Sequence, residues 1–127
     1  MNIDSKDVLG TFPTEPCVFA ACDSKYFVDH AGPFINSVHK SGKPVHVHVI
    51  NPTKEVYADI EFYREKISTP MSFTFNDIDL PEDMDQRKCI YASLRFFILP
   101  FLLEKIERIM VLDIDCLVMK DFEFPTK

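Results

Sequence analysis

Arg108-Ile109-Met110-Val111-Leu112-Asp113-Ile114-Asp115-Cys116-Leu117-Val118 is the stretch whose reading decides the rest of the chain. The unbroken apolar run Ile109 to Leu112 follows the charged pair Glu107 and Arg108. It predicts a short buried strand in the middle of a parallel sheet covered on both faces. The strand stops at two carboxylates, Asp113 and Asp115, on either side of Ile114. In open α/β sheets ligands bind beyond the carboxyl ends of the strands, so this pair falls where such a sheet presents its ligand. Carboxylates held that close repel unless a cation lies between them, and an all-oxygen site suits a hard divalent ion such as Mg²⁺ or Mn²⁺. No Lys or Arg occurs between Asp113 and Val118 to supply the charge. Taken alone, Asp-x-Asp after a strand also serves as a plain turn or helix cap.

Upstream, Gln86 to Leu103 predicts a long apolar helix with Ile90, Leu94, Phe97 and Ile98 in one stripe, kinked or split at Pro100. The acidic connector Asp77 to Asp85 reads as a surface loop whose run Glu82 to Asp85 can cap that helix. Ser72 to Asn76 alternates and predicts a strand. So does Lys43 to Ile50, with Val45, Val47 and Val49 on one face and His46, His48 and Ile50 on the other. Between them, Asn51-Pro52 reads as a helix opening, Val56, Ile60, Tyr63 and Ile67 as the buried face, and Ser68-Thr69-Pro70 as the stop. Cys17 to Cys22 predicts the first buried strand, and the polar loop Asp23-Ser24-Lys25-Tyr26 at its carboxyl end is a second candidate ligand contact. Phe27, Ala31, Phe34, Ile35 and Val38 then recur at helical spacing before a Gly42 cap, with the helix starting at Pro33 or in the loop before it. Residues 1–15 read as a loose arm and 16–127 as one domain. Strands alternate with helices throughout, which implies right-handed crossovers and a mostly parallel α/β sheet with helices on both faces.

The 127 residues suit a single core, and 46% apolar with 27% charged residues is a globular balance. Phe is abundant (12) and Trp absent, so the core is expected to rest on phenylalanines. A net charge of −6 argues against nucleic acid, whose backbone would be repelled. By the same token, a phosphorylated ligand reaches Asp113 and Asp115 only if a metal ion reverses the local sign. Residues Met1 to Thr11 carry no apolar signal segment, and Leu94 to Leu103, the most apolar run, is too short to span a bilayer. Cys17, Cys22, Cys89 and Cys116 lack zinc spacing and read as reduced thiols of a cytoplasmic protein. His46 and His48 share a strand face, but with no third ligand in view they read as packed side chains, and His30 and His39 as solvated ones.

Tyr91-Ala-Ser-Leu-Arg95-Phe-Phe-Ile-Leu-Pro100, followed after a spacer by Ile109-Met-Val-Leu-Asp113-Ile-Asp115, resembles glycosyltransferase family 8 of the GT-A enzymes. Glycogenin-like and lipopolysaccharide galactosyltransferase-like proteins belong to this family. Phe19-Ala20-Ala21-Cys22-Asp23-Ser-Lys-Tyr26 is similar to its first strand and uridine-binding loop, and the likeness runs from about Pro16 to Pro125. It implies a three-layer, Rossmann-like nucleotide-diphospho-sugar transferase fold that binds a UDP-sugar and transfers its hexose to an acceptor, with retention of configuration. Asp113 and Asp115 would hold Mn²⁺ or Mg²⁺ against the diphosphate, with Ile114 between them at the donor. Ala20, Ala21, Asp23 and Tyr26 would surround the uridine, and Arg95 would reach the donor's phosphate or sugar. In the family, the half that follows the Asp-x-Asp strand supplies the acceptor site and a metal-binding histidine. This chain ends at Lys127, before them, so the likeness covers the donor-binding half. The apolar surface left uncovered is then expected to favour a homo-oligomer or a completing partner chain.

Three rivals stand beside this reading, one of them a small acidic signalling domain of receiver type, of whose paired acids and phosphorylatable Asp only Asp23 and Asn76/Asp77 are in place. A phosphatase of the haloacid dehalogenase type uses the first Asp of such a pair as nucleophile and the second as acid/base. It carries them on its first strand, however, with Thr or Val where this chain has Leu117. The third rival is a non-catalytic nucleotide-sugar-binding or structural half-domain.

Overall fold

A computed structural model describes residues 8–10, 16–79, 81–106 and 108–115. In chain order these form β1 (Val8–Gly10), β2 (Cys17–Asp23), α1 (Ser24–Lys40), β3 (Val45–Ile50), α2 (Lys54–Lys66), β4 (Met71–Asn76), α3 (Met84–Leu103) and β5 (Ile109–Val111). The sheet order is β1-β4-β3-β2-β5. β2, β3, β4 and β5 run parallel, and β1 is antiparallel against β4.

Alternation along the strands builds the layers. Val18, Ala20 and Cys22 of β2, Val45, Val47 and Val49 of β3 and Phe73 and Phe75 of β4 form one cluster with Phe27, Phe34, Ile35 and Val38 of α1 and Val56 and Ile60 of α2. The opposite parity of β2 turns the other way. Phe19 meets Ile98 and Leu102 of α3, with half-buried Ile109 and Val111 of β5 beside them. Helices therefore cover both faces. Phenylalanines do carry the main core, with Phe27 edge-on to Phe73 at 6.3 Å and tilted against Tyr63. Each such side chain contributes roughly 1.5–3 kcal/mol on full burial.

The topology follows from the crossover rule. From β2 through β3 to β4 the chain steps one way across the sheet with α1 and α2 on one face. It then returns past β2 to β5 through α3. A right-handed crossover in the reverse direction must put its helix on the reverse face, and that is where α3 lies.

Several expectations change. The strand preceding Asp113 was expected in the middle of the sheet. Among the described residues β5 is its outermost strand, and its residues are only half buried. A continuous apolar run cannot distinguish a central strand from a short edge strand lying against one helix. The N-terminal arm contains β1, whose Gly10 adopts φ +81° close to the Met71 carbonyl. α1 does not begin at Pro33 but at Ser24, and Pro33 sits inside it. α2 begins at Lys54 with Thr53 in the N-cap position and no side-chain capping bond, while Asn51, at a left-handed φ of 53°, turns its Oδ1 to the Ile78 N–H instead. α3 runs through Pro100 without splitting into two helices. In agreement with the sequence, no helix among the described residues is long and apolar enough to cross a membrane.

Candidate functional site

The reversal of winding direction occurs between β2 and β5, and a crevice at such a switch point is where ligands bind in this class of sheet. The register pairs Cys17 with Ile109, Val18 with Met110 and Phe19 with Val111. The Leu112 N–H donates to the Phe19 carbonyl at 2.9 Å. The β5 chain then leaves the ladder and turns through Ile114 and Asp115, whereas β2 runs on to Asp23. Adjacent strands lie about 4.8 Å apart, so the start of α1 after β2 and the turn after β5 flank the cleft expected at this switch point.

Ile114 anchors the turn: it is buried in the cluster beneath α1 and α2, while Asp113 and Asp115 on either side are exposed. Apolar burial of the middle residue is what holds the two carboxylates at the rim. Across the cleft, Asp23 caps α1, its Oδ1 accepting the Tyr26 N–H at 2.9 Å. Tyr26 is half exposed and stacks on His30 at 5.7 Å. His30 is thus a stacked, half-buried group rather than a solvated one. Ala20 is fully buried beneath α1, and Ala21 is half buried on the α3 side. Arg95 belongs to α3, but its side chain lies outside the described residues, as do Cys116 and everything after it.

The acidic side chains described around the switch point are Asp23, Asp113 and Asp115. A helix N-terminus ordinarily attracts anions, but here the Asp23 carboxylate already occupies the positive end of α1. Lys25, in the first turn of α1, pairs with Asp29 one turn on at 3.1 Å. Neighbouring carboxylates repel one another and an anion unless a positive charge offsets them. Among the described residues no group of three or more His, Cys, Asp or Glu is placed to hold a metal. The donor set still fits a hard dication of the Mg²⁺ type, which binds through one or two carboxylates and fills its shell with water and substrate phosphates. Burial pushes the Cys22 thiol, on the strand beneath the cleft, above the ordinary thiol range. It therefore stays protonated and is no nucleophile.

Two features were not read from the sequence. The first is a belt joining three strand ends: Ser24 Oγ donates to the Asn51 carbonyl, the Asn51 N–H to the Asn76 carbonyl at 2.8 Å, and the Ile78 N–H to Asn51 Oδ1 at 2.7 Å. Asn tolerates the left-handed conformation this requires. Asn51 before Pro52 was the available signal, and it also suits a helix cap. The second is a buried polar ladder on the face opposite α1 and α2. His46 Nδ1 meets Ser72 Oγ at 2.6 Å and its Nε2 meets Thr74 Oγ1 at 2.9 Å. His48 Nδ1 meets the same Thr74 hydroxyl at 2.7 Å, and its Nε2 meets Asn76 Oδ1. The matching parity of His-x-His with Ser-x-Thr-x-Asn was visible in the sequence, but the register that aligns them was not. Both imidazoles are packed side chains, as expected. His39 differs, being half buried with its Nδ1 against Thr69 Oγ1 at 2.9 Å. A surface depression lined by Gly10, Arg64, Ile67, Thr69 and Met71 lies at the amino end of β4, remote from the cleft. Compared with family models, with curated proteins and with solved structures, the chain has no match in any of the three.

Proposed function

We propose that this chain is a glycosyltransferase of the GT-A type, or the donor-binding portion of one, taking a UDP-sugar into the cleft between β2 and β5. The observation that carries the reading is the position of the switch point, flanked by Asp23 and the first turn of α1 on one side and Asp113-Ile114-Asp115 on the other. Asp113 and Asp115 would hold Mn²⁺ or Mg²⁺ at the rim, and the bound dication would stabilise negative charge growing on UDP as the anomeric bond breaks. The chain's own groups do the rest. Tyr26, half exposed, would offer an aromatic face to the base beside Asp23, and Arg95 would reach the phosphate or sugar as the resemblance implies. A bound dication would offset the repulsion between these carboxylates and a diphosphate, since two unit charges about 4 Å apart near a protein surface interact by about 4 kcal/mol, and Asp23 already occupies the N-terminus of α1.

Calorimetric titration with UDP and UDP-hexoses, with and without Mn²⁺, tests this directly. Binding that requires Mn²⁺ and weakens in Asp113→Asn and Asp115→Asn is the expected result. Absence of binding in every condition, or binding indifferent to the metal, sinks it. A parallel assay for hexose transfer or donor hydrolysis separates an enzyme from a donor-binding half-domain.

A further inference from the structure

The ladder on β3 and β4 lies apart from the cleft and has a direction. We infer that Ser72, His46, Thr74, His48 and Asn76 form one continuous, one-way hydrogen-bond chain that locks both imidazoles as neutral Nε2–H tautomers and closes their remaining lone pairs to a metal ion. The argument starts at Asn76. Its Oδ1 faces His48 Nε2 and can only accept, so His48 carries its proton on Nε2. His48 Nδ1 is then an acceptor, and the Thr74 hydroxyl must donate to it at 2.7 Å. Having given its only proton, Thr74 Oγ1 can only accept from His46, so His46 Nε2 is also protonated, at 2.9 Å. His46 Nδ1 in turn accepts the Ser72 hydroxyl proton at 2.6 Å. Every link follows from the first, because a hydroxyl has one proton and a neutral imidazole one donor and one acceptor.

The surroundings keep the chain closed. His46, His48, Ser72 and Thr74 are fully buried, with Phe19 tilted against His46 at 5.9 Å. Polarised links in low dielectric strengthen one another. The Asn76 Nδ2, buried and without a hydrogen-bond partner among the described residues, is the positive end of the chain, at the carboxyl end of β4 beside the Asn51 belt. The orientation of that one amide is thereby tied to Ser72, four residues down the strand.

The test is a long-range ¹H–¹⁵N correlation spectrum of the full chain labelled with [¹⁵N]histidine at pH 7, with signals assigned through His30→Gln and His39→Gln. The expected result is a pyrrole-type Nε2 and a pyridine-type Nδ1 at both His46 and His48, unmoved by added Zn²⁺. A protonated Nδ1 at either residue, an imidazolium, or a Zn²⁺-induced shift at either overturns the inference. Asn76→Asp supplies a second readout, because a carboxylate at 76 can only accept. The two tautomers should stay as in the wild type, and their reversal would mean that the native amide faces His48 with its nitrogen and the chain runs the other way.

Discussion

Thr74 is the residue through which the polar ladder passes, and its hydroxyl is the one group shared by both imidazoles. Valine in its place keeps the shape and leaves a buried imidazole N–H and a buried imidazole lone pair unmatched. A buried polar group that loses its partner costs roughly 1–3 kcal/mol, so Thr74→Val is expected to destabilise the fold by about 2–4 kcal/mol in urea denaturation. A loss below about 0.5 kcal/mol would show that the hydroxyl is dispensable. Asp115 is the contrasting residue. It is exposed on a turn already anchored by Ile114, so Asp115→Asn should leave stability within about 0.5 kcal/mol. If the proposed function holds, Mn²⁺-dependent binding of UDP falls at least tenfold in the same variant, and a variant that loses binding and stability together would count against it. The two residues also differ in how readable they were. Asp115 announced itself because an acid after an apolar run is conspicuous in one dimension. Thr74 did not, because its partners lie on a strand nearly thirty positions away and only the register brings them opposite.

At the scale of elements, caps and periodicity were legible wherever the cause is local. The Asp83 carboxylate accepts from the Asp85 and Gln86 N–H groups, which is the capping role suggested for the acidic run. Asp83→Ala should therefore cost about 1 kcal/mol, read as a lowered midpoint of thermal unfolding. Pro33 shows where local reasoning failed. Sequence rules put a helix start there, yet α1 runs through it, with Phe27 and Ala31 buried before it and Phe34, Ile35 and Val38 after it. Burial of that continuous stripe outweighs the missing N–H and the ring clash, which cost about 3 kcal/mol in a helix interior. Pro33 is exposed, so Pro33→Ala should recover part of that cost and stabilise the protein by about 1–3 kcal/mol. A neutral or destabilising outcome would show that the helix has settled around the ring. β5 was misplaced for a related reason: three apolar residues record that a strand exists and give no information on how many neighbours it has.

Across the whole molecule, the alternation of strand and helix fixed the parallel sheet, while the place of the cleft depended on strand order, which no local signal encodes. Strand order also sets how the fold answers to acid. It brings His46 and His48 of β3 against β4, where burial, as the leading cause at both, takes His46 down to about 3 and His48 to about 4 from an ordinary 6.5. At His46 the neighbouring His48 lowers it further, while at His48 the bond to Asn76 opposes the shift. An unfolded imidazole takes up its proton near 6.5 and the folded ones only near 3 and 4, so between these values the unfolded state binds the extra protons. Stability is then complete above about pH 6.5 and declines as the pH falls, by about 1.4 kcal/mol per pH unit for each histidine. Together they should remove about 2–3 kcal/mol per unit between pH 6 and pH 4, ahead of most carboxylate protonation. Urea midpoints measured at pH 7, 6 and 5 check this, with His30→Gln and His39→Gln as controls on the half-buried helix histidines. Midpoints that stay level from pH 7 to pH 5 would mean that the folded protein accommodates a charged imidazole, which the ladder on β3 and β4 does not allow.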